Sequence, residues 1–169
     1  MSIPRFLCVL CIRRLAALTA EAFRVPAPPV HGPWPKALDI YAVFTAEAAR
    51  RALADEPRLE SLRARLFVSA QNLGSRLRAV LLIRSARRAV SVMRALYQVM
   101  GVDFHCGDGE FRVRSCRFAR VYSPQVCMLI SSLDDGLFRG LSGGERLQFR
   151  RRITEGAEEC AGYVGGLSA

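Results

Sequence analysis

The feature that most constrains this chain is a change of period at Gly101. Before it, apolar residues recur at the three- and four-residue intervals of a helix face. After it, the segment VDFHCGDGEFRVRSC alternates apolar and polar residues around Gly107-Asp108-Gly109, the form of a β-hairpin. A chain that reads as helices for its first hundred residues and then turns to hairpins belongs to the α+β class, with an antiparallel sheet.

The spacing of Phe6, Leu7, Leu10, Leu15 and Leu18 predicts a helix over 5–23, ended by the proline-rich run VPAPPVHGPWPK, a linker or wrapping loop. A second helix is expected over 36–53, with Leu38, Ile40, Tyr41, Phe44 and Ala48 inward. Asp55-Glu56-Pro57 reads as a helix start. The helical pattern then runs from Leu59 to Met100 with breaks near Gly74 and Ser85, keeping Val80, Leu81, Ile83, Val90, Met93 and Leu96 on the inner face. Hairpins over 102–116 and 146–164, the second turning at Glu155-Gly156, flank a helix over 123–140. The expectation is one domain over 1–169, with mainly helical residues 1–100 packed on a small antiparallel sheet. Residues 101–169 are the hairpin-helix-hairpin part that carries the cysteines.

A length of 169 residues is enough to bury a core, and 51% hydrophobic with 24% charged residues excludes the disordered and fibrous classes. The net charge of +10 raises the question of phosphates, since clustered basic residues release counterions from them. Lys36 is the only lysine, however, and the arginines are spread through helical segments with no zinc-finger, RNP or helix-turn-helix signature, so no nucleic-acid partner is expected. The apolar run Phe6 to Ile12 is too short for a signal peptide and is cut off by Arg13-Arg14. No segment reaches the ~18 apolar residues of a membrane span. The expectation is a cytoplasmic chain with no membrane partner, and a homo-oligomer is compatible with it.

Six cysteines in such a chain point to free thiols or ligands rather than disulfides. Cys8 and Cys11 have CxxC spacing inside an apolar helix with no second pair, which favours core packing. Cys116, Cys127 and Cys160 each fall at the edge of an element in the α+β half, and a sheet with one covering helix can bring such positions together. Three thiolates with a fourth ligand from Glu155, Glu158, Glu159 or His105 would make a zinc site. The ten and thirty-two intervening residues match no standard finger, so three buried cysteines remain an equal alternative. Asp134-Asp135-Gly136 reads locally as a helix kink with solvated acids. LSGGER reads as a connecting turn, since it lacks the Lys and Ser/Thr of a P-loop.

The segment CRFARVYSPQVC, followed by RITEGAEEC, resembles the C-terminal half of the L-2-amino-thiazoline-4-carboxylic acid hydrolase family. The likeness covers about fifty residues. It picks out Cys116, Cys127, Asp134 or Asp135, Glu155, Gly156 and Cys160. Its last cysteine is followed by Ala161-Gly162-Tyr163 where the family has an acidic or polar residue and then Phe, and its acid lies farther from the middle cysteine. A more distant similarity runs to ligand-binding domains of the 4-vinyl reductase type, which share the hairpin-helix-hairpin order.

The first resemblance implies a hydrolase-like protein that opens a small cyclic C–N or C=N substrate. Cys127 or Cys160 would be nucleophile or ligand, and Glu155 or Asp134 the acid/base. A zinc ion, if held, would sit on Cys116, Cys127, Cys160 and Glu159. An anionic substrate would meet Arg114, Arg117 or Arg152. The second resemblance implies a non-catalytic domain that binds or senses a small ligand, with a structural zinc. A third expectation is an accessory protein whose arginine-rich helices dock on an acidic partner.

Overall fold

The computed structural model describes residues 5–166; the few terminal residues included in the expected single domain lie outside them. Five helices precede, cover and interrupt a four-stranded antiparallel sheet: α1 (Arg5–Phe23), α2 (Trp34–Leu53), α3 (Leu59–Val80), α4 (Ala86–Val99), β1 (Val102–Gly107), β2 (Glu110–Cys116), α5 (Pro124–Ser142), β3 (Leu147–Arg151) and β4 (Cys160–Val164). The sheet order is β1-β2-β4-β3, so the second hairpin joins the first through its returning strand. This is the expected α+β arrangement of two hairpins with a helix between them.

Local chemistry explains most boundaries. Pro35 occupies the first turn of α2, where its missing N–H costs nothing. Ser85 and Ser123 cap α4 and α5 by accepting from Arg88 N–H and Val126 N–H. In the first hairpin Asp108 and Gly109 both have positive φ, 51° and 78°, as the two central residues of a type I′ turn require. The proline-rich loop is tied down by Trp34 Nε1, which donates to Val99 O at 2.7 Å, and by Arg13 Nε, which donates to Val30 O at 3.0 Å.

Four expectations need correction. Helix α3 does not break at Gly74; it runs through it, because Gly74 lies against Gly140 and the Leu137 and Leu141 backbone of α5. A Cβ on Gly140 would stand 2.2 Å from Gln71 O, and one on Gly136 the same distance from Phe67 O, so these glycines let two helix backbones touch. For the same reason Gly136 marks close packing and not a kink. On α1 the buried stripe is Cys8, Ile12, Ala16 and Ala20, which leaves Phe6, Leu7 and Leu10 exposed. At the end of α3, Val80 and Leu81 are also exposed, because the chain leaves the helix there and Leu82 takes a left-handed φ of 50°.

Candidate ligand cavity

The core is not filled. A cavity of about 380 Å³ lies between α1, α3, α4, α5 and the inner face of the sheet, within the range of small-molecule sites. Most of its wall is aliphatic or aromatic: Leu15, Leu73, Leu77, Met93, Leu96, Phe118, Leu137 and Phe149 among others. Leu10 and Arg14, both exposed, also line it, so it opens beside α1.

Against this apolar wall one polar cluster stands out. Cys116 arrives at the end of β2, Cys127 in the first turn of α5 and Cys160 at the start of β4, and all three line the cavity. They lie close enough that Cys127 and Cys160 raise the proton affinity of Cys116, and Cys127 that of Cys160. Asp134, two turns along α5 from Cys127, joins them from the same helix face, and Tyr97 of α4 and Thr154 of the β3–β4 connection complete the group.

Asp134 is the group most altered by this environment. Burial raises its carboxyl to about 7, against the pull of the Tyr97 hydroxyl and of Arg152; the neighbouring carboxylate of Asp135 adds to the rise. The expectation of a solvated acid is thus overturned for Asp134. Asp135 points the other way and takes a structural role, accepting from Arg146 Nε at 2.8 Å and from Leu147 N–H at 3.2 Å, which anchors the start of β3.

Burial also raises the thiols. Cys116 is pushed up to about 11, partly offset by the backbone amides of Ala119 and Phe118. Cys127 and Cys160 are raised by burial as well. Thr154 and Arg152 work against the rise at Cys127, and at Cys160 the Ile153 amide, 3.3 Å from Sγ, does so with Arg152. Burial thus holds all three toward the neutral thiol rather than the thiolate that attacks carbon.

Three buried polar atoms close no well-formed hydrogen bond: Tyr97 Oη, Thr154 Oγ1 and Arg152 Nε. Tyr97 and Thr154 line the cavity, and each is directed at one partner at longer range, the Tyr97 hydroxyl at the Asp134 carboxyl and the Thr154 hydroxyl at the Cys127 thiol. Arg152 lies one residue behind the wall, its guanidinium 4.8 Å from the centre of the Phe149 ring. Unmet donors beside an apolar space are unusual, because each costs about 1–3 kcal/mol when nothing accepts from it.

The acidic residues expected from the closing EGAEEC stretch do not join the cluster. Glu155 is exposed and faces Arg152 at 3.7 Å. Glu159 accepts from Arg151 at 2.7 Å and faces Arg112 at 3.5 Å, and Glu158 is exposed. His105 is exposed beside Asp103. Of the arginines weighed as anion contacts, Arg117 is taken by Asp39 and Arg114 is exposed, which leaves Arg152 nearest the thiols. Cys8 is buried as expected, whereas Cys11 is half-buried and lines the cavity near its opening. Among the described residues no three His, Cys, Asp or Glu side chains are grouped closely enough to hold a metal ion. Glu159, expected as the fourth ligand beside Cys116, Cys127 and Cys160, is turned to Arg151 and Arg112 instead.

Sequence reasoning missed Tyr97 and Thr154. Tyr97 sits on the inner stripe of an amphipathic helix, where an aromatic reads as core. Thr154 belongs to a short helical turn that only the β3–β4 connection aims inward. Comparison with known proteins finds no matching family model, no matching curated protein and no matching solved structure.

Proposed function

We propose that this chain is a small-ligand-binding domain whose cavity takes a compact, largely apolar molecule bearing one hydrogen-bond-accepting group. The observation that carries this reading is the pairing of an apolar cavity of about 380 Å³ with two unmet hydroxyl donors on its wall and a third donor, Arg152, directly behind it. A carboxylate or carbonyl on the ligand would receive them, and Asp134, close to half-protonated near neutral pH, would accept or donate as the ligand demands. The test is a thermal-shift screen of small apolar compounds with and without a terminal carboxylate or carbonyl. Compounds with the acceptor should raise Tm, and Tyr97→Phe with Thr154→Val should remove most of that gain. A gain that survives both substitutions sinks the assignment.

The second reading, hydrolysis of a small cyclic C–N or C=N compound, is favoured by one observation: a carboxyl with a pKa of about 7 beside Cys127 is matched to proton transfer at neutral pH. It predicts ring opening of cyclic amidine-like compounds that Cys127→Ala and Asp134→Asn abolish. Binding without turnover leaves the ligand-binding reading alone. Metal analysis of protein purified without chelator tests the zinc expectation. One ion per chain, lost in Cys116→Ser, Cys127→Ser and Cys160→Ser, would make it a metal-stabilised site.

A further inference from the structure

The end of the molecule where α1 begins and α3 ends leaves large apolar side chains in solvent. Phe6 is 72% exposed, Val80 78%, Leu82 68% and Leu10 52%. The two helices run antiparallel: Arg65 Nε donates to Ala22 O, and Leu10 and Leu77 share a wall of the cavity. Each turn back along α1 is therefore met by a turn forward along α3. Continued by one turn, this antiparallel course carries Phe6 and Leu7 toward the end of α3 that holds Val80 and Leu81. The exposed residues thus form one apolar end, next to the opening at Leu10 and Arg14.

The two stretches that form this end carry charge of a single sign, and the α5–β3 turn that packs on Arg78 adds Glu145 near them. Residues 5–20 hold three arginines, residues 61–102 hold eight, and neither stretch holds an Asp or Glu. Arg5, Arg13, Arg14, Arg76, Arg84, Arg87 and Arg88 are exposed, and none forms an ion pair among the described residues. The occupant must accept apolar side chains and supply negative charge around them. A second copy of this chain would bring the same arginines face to face. An anionic lipid surface meets both demands, since apolar residues enter the headgroup boundary while arginines stay at the phosphates.

We infer that this end docks on an anionic bilayer, with Phe6, Leu7, Val80 and Leu82 in the interface, and that the cavity opening faces the lipid. No helix among the described residues is long and apolar enough to cross a membrane, so the contact is peripheral. The lipid-side route into the cavity rests on the ligand-binding reading; the docking does not.

The test is flotation of the full chain with vesicles of phosphatidylcholine alone or with about 30% phosphatidylglycerol, at low salt and at about 0.5 M salt. The chain should float with the anionic vesicles only and be partly released by salt. The triple variants Phe6→Ser/Val80→Ser/Leu82→Ser and Arg84→Glu/Arg87→Glu/Arg88→Glu should each lower the bound fraction about tenfold. Val43→Ser, an exposed apolar position on α2, should leave it unchanged. Circular dichroism confirms that each variant is folded. Equal flotation with neutral vesicles, no flotation with anionic ones, or full binding by both triple variants overturns the proposal. A dimer in light scattering that the serine variant splits, without vesicle binding, overturns it in favour of a second copy. Ligand-induced Tm shifts in solution should persist in both triple variants, which separates failure here from failure of the cavity reading.

Discussion

Along one flank of α5, Gly136 and Gly140 bring its backbone against Phe67 and Gln71 of α3. Along the other, Cys127, Ile130, Asp134 and Leu137 stand off from α1, α4 and the sheet and leave a cavity. The first flank is closed by glycine; no side chain fits between the helices, and the contact is rigid because backbones set its spacing. The second is walled by larger side chains, and the space they enclose holds the polar group that packing alone would exclude. Asp135 and Asp134 divide the same way. One is satisfied by Arg146 at the start of β3, while its neighbour is buried among thiols and hydroxyls.

The comparison is tested first through Asp134. Its folded pKa of about 7 lies above the ordinary carboxyl value, so the folded state binds the extra proton between about pH 4 and 7 and stability falls as pH rises through that window. The loss is roughly 4 kcal/mol by pH 8, fixed by a shift of about three units. Asp134→Asn cannot ionise, so its stability relative to the wild type should rise by about that amount between pH 4 and 8 in urea titrations. A pH-independent difference would show that the carboxyl is not confined as described.

Next comes the closed flank. Gly140→Val puts a branched side chain where a Cβ alone meets Gln71 O at 2.2 Å, and it should cost about 3 kcal/mol in chemical denaturation. Leu133→Ala, which enlarges the open flank, should cost less than a fully packed leucine, about 1–2 kcal/mol, because part of its surroundings is already empty. If the two costs are equal, the flanks do not differ in packing.

Asp135→Asn should cost about 1 kcal/mol, since Arg146 is half-exposed and water replaces much of the ion pair. Smallest of all, Cys127→Ser should change stability by less than about 1 kcal/mol in the same titrations, because serine is nearly isosteric and keeps a group that Thr154 and Ser131 can bond beside the cavity.

Much of the fold was legible because the signals were local. The change of period at Gly101, the Asp108-Gly109 turn and the caps at Ser85 and Ser123 fix element type and edges through interactions a few residues apart. The site was legible only in outline. Cys116, Cys127 and Cys160 do share one space, but Glu155 and Glu159 were read as partners from nearness in sequence. Glu155 ends the short helical turn Ile153–Glu155 and Glu159 precedes β4, and both meet arginines there, Arg152 for the first and Arg151 and Arg112 for the second, so nearness to Cys160 did not bring them inside. Asp134 was read as a solvated acid because a carboxyl in a polar pair usually is, and nothing within α5 reveals that four other elements close over it.

By itself, then, the sequence determined the α+β class, the order of the elements, and the three cysteines as residues at element edges. Tertiary structure alone decided that Gly74, Gly136 and Gly140 are contact points, that Tyr97 faces Asp134 and Thr154 faces Cys127, and that Phe6, Val80 and Leu82 stay in solvent. The physical reason is one of range. Periodicity and capping depend on neighbours within a turn, whereas burial of a charge and the fit of two backbones depend on elements tens of residues apart, whose approach no local pattern encodes.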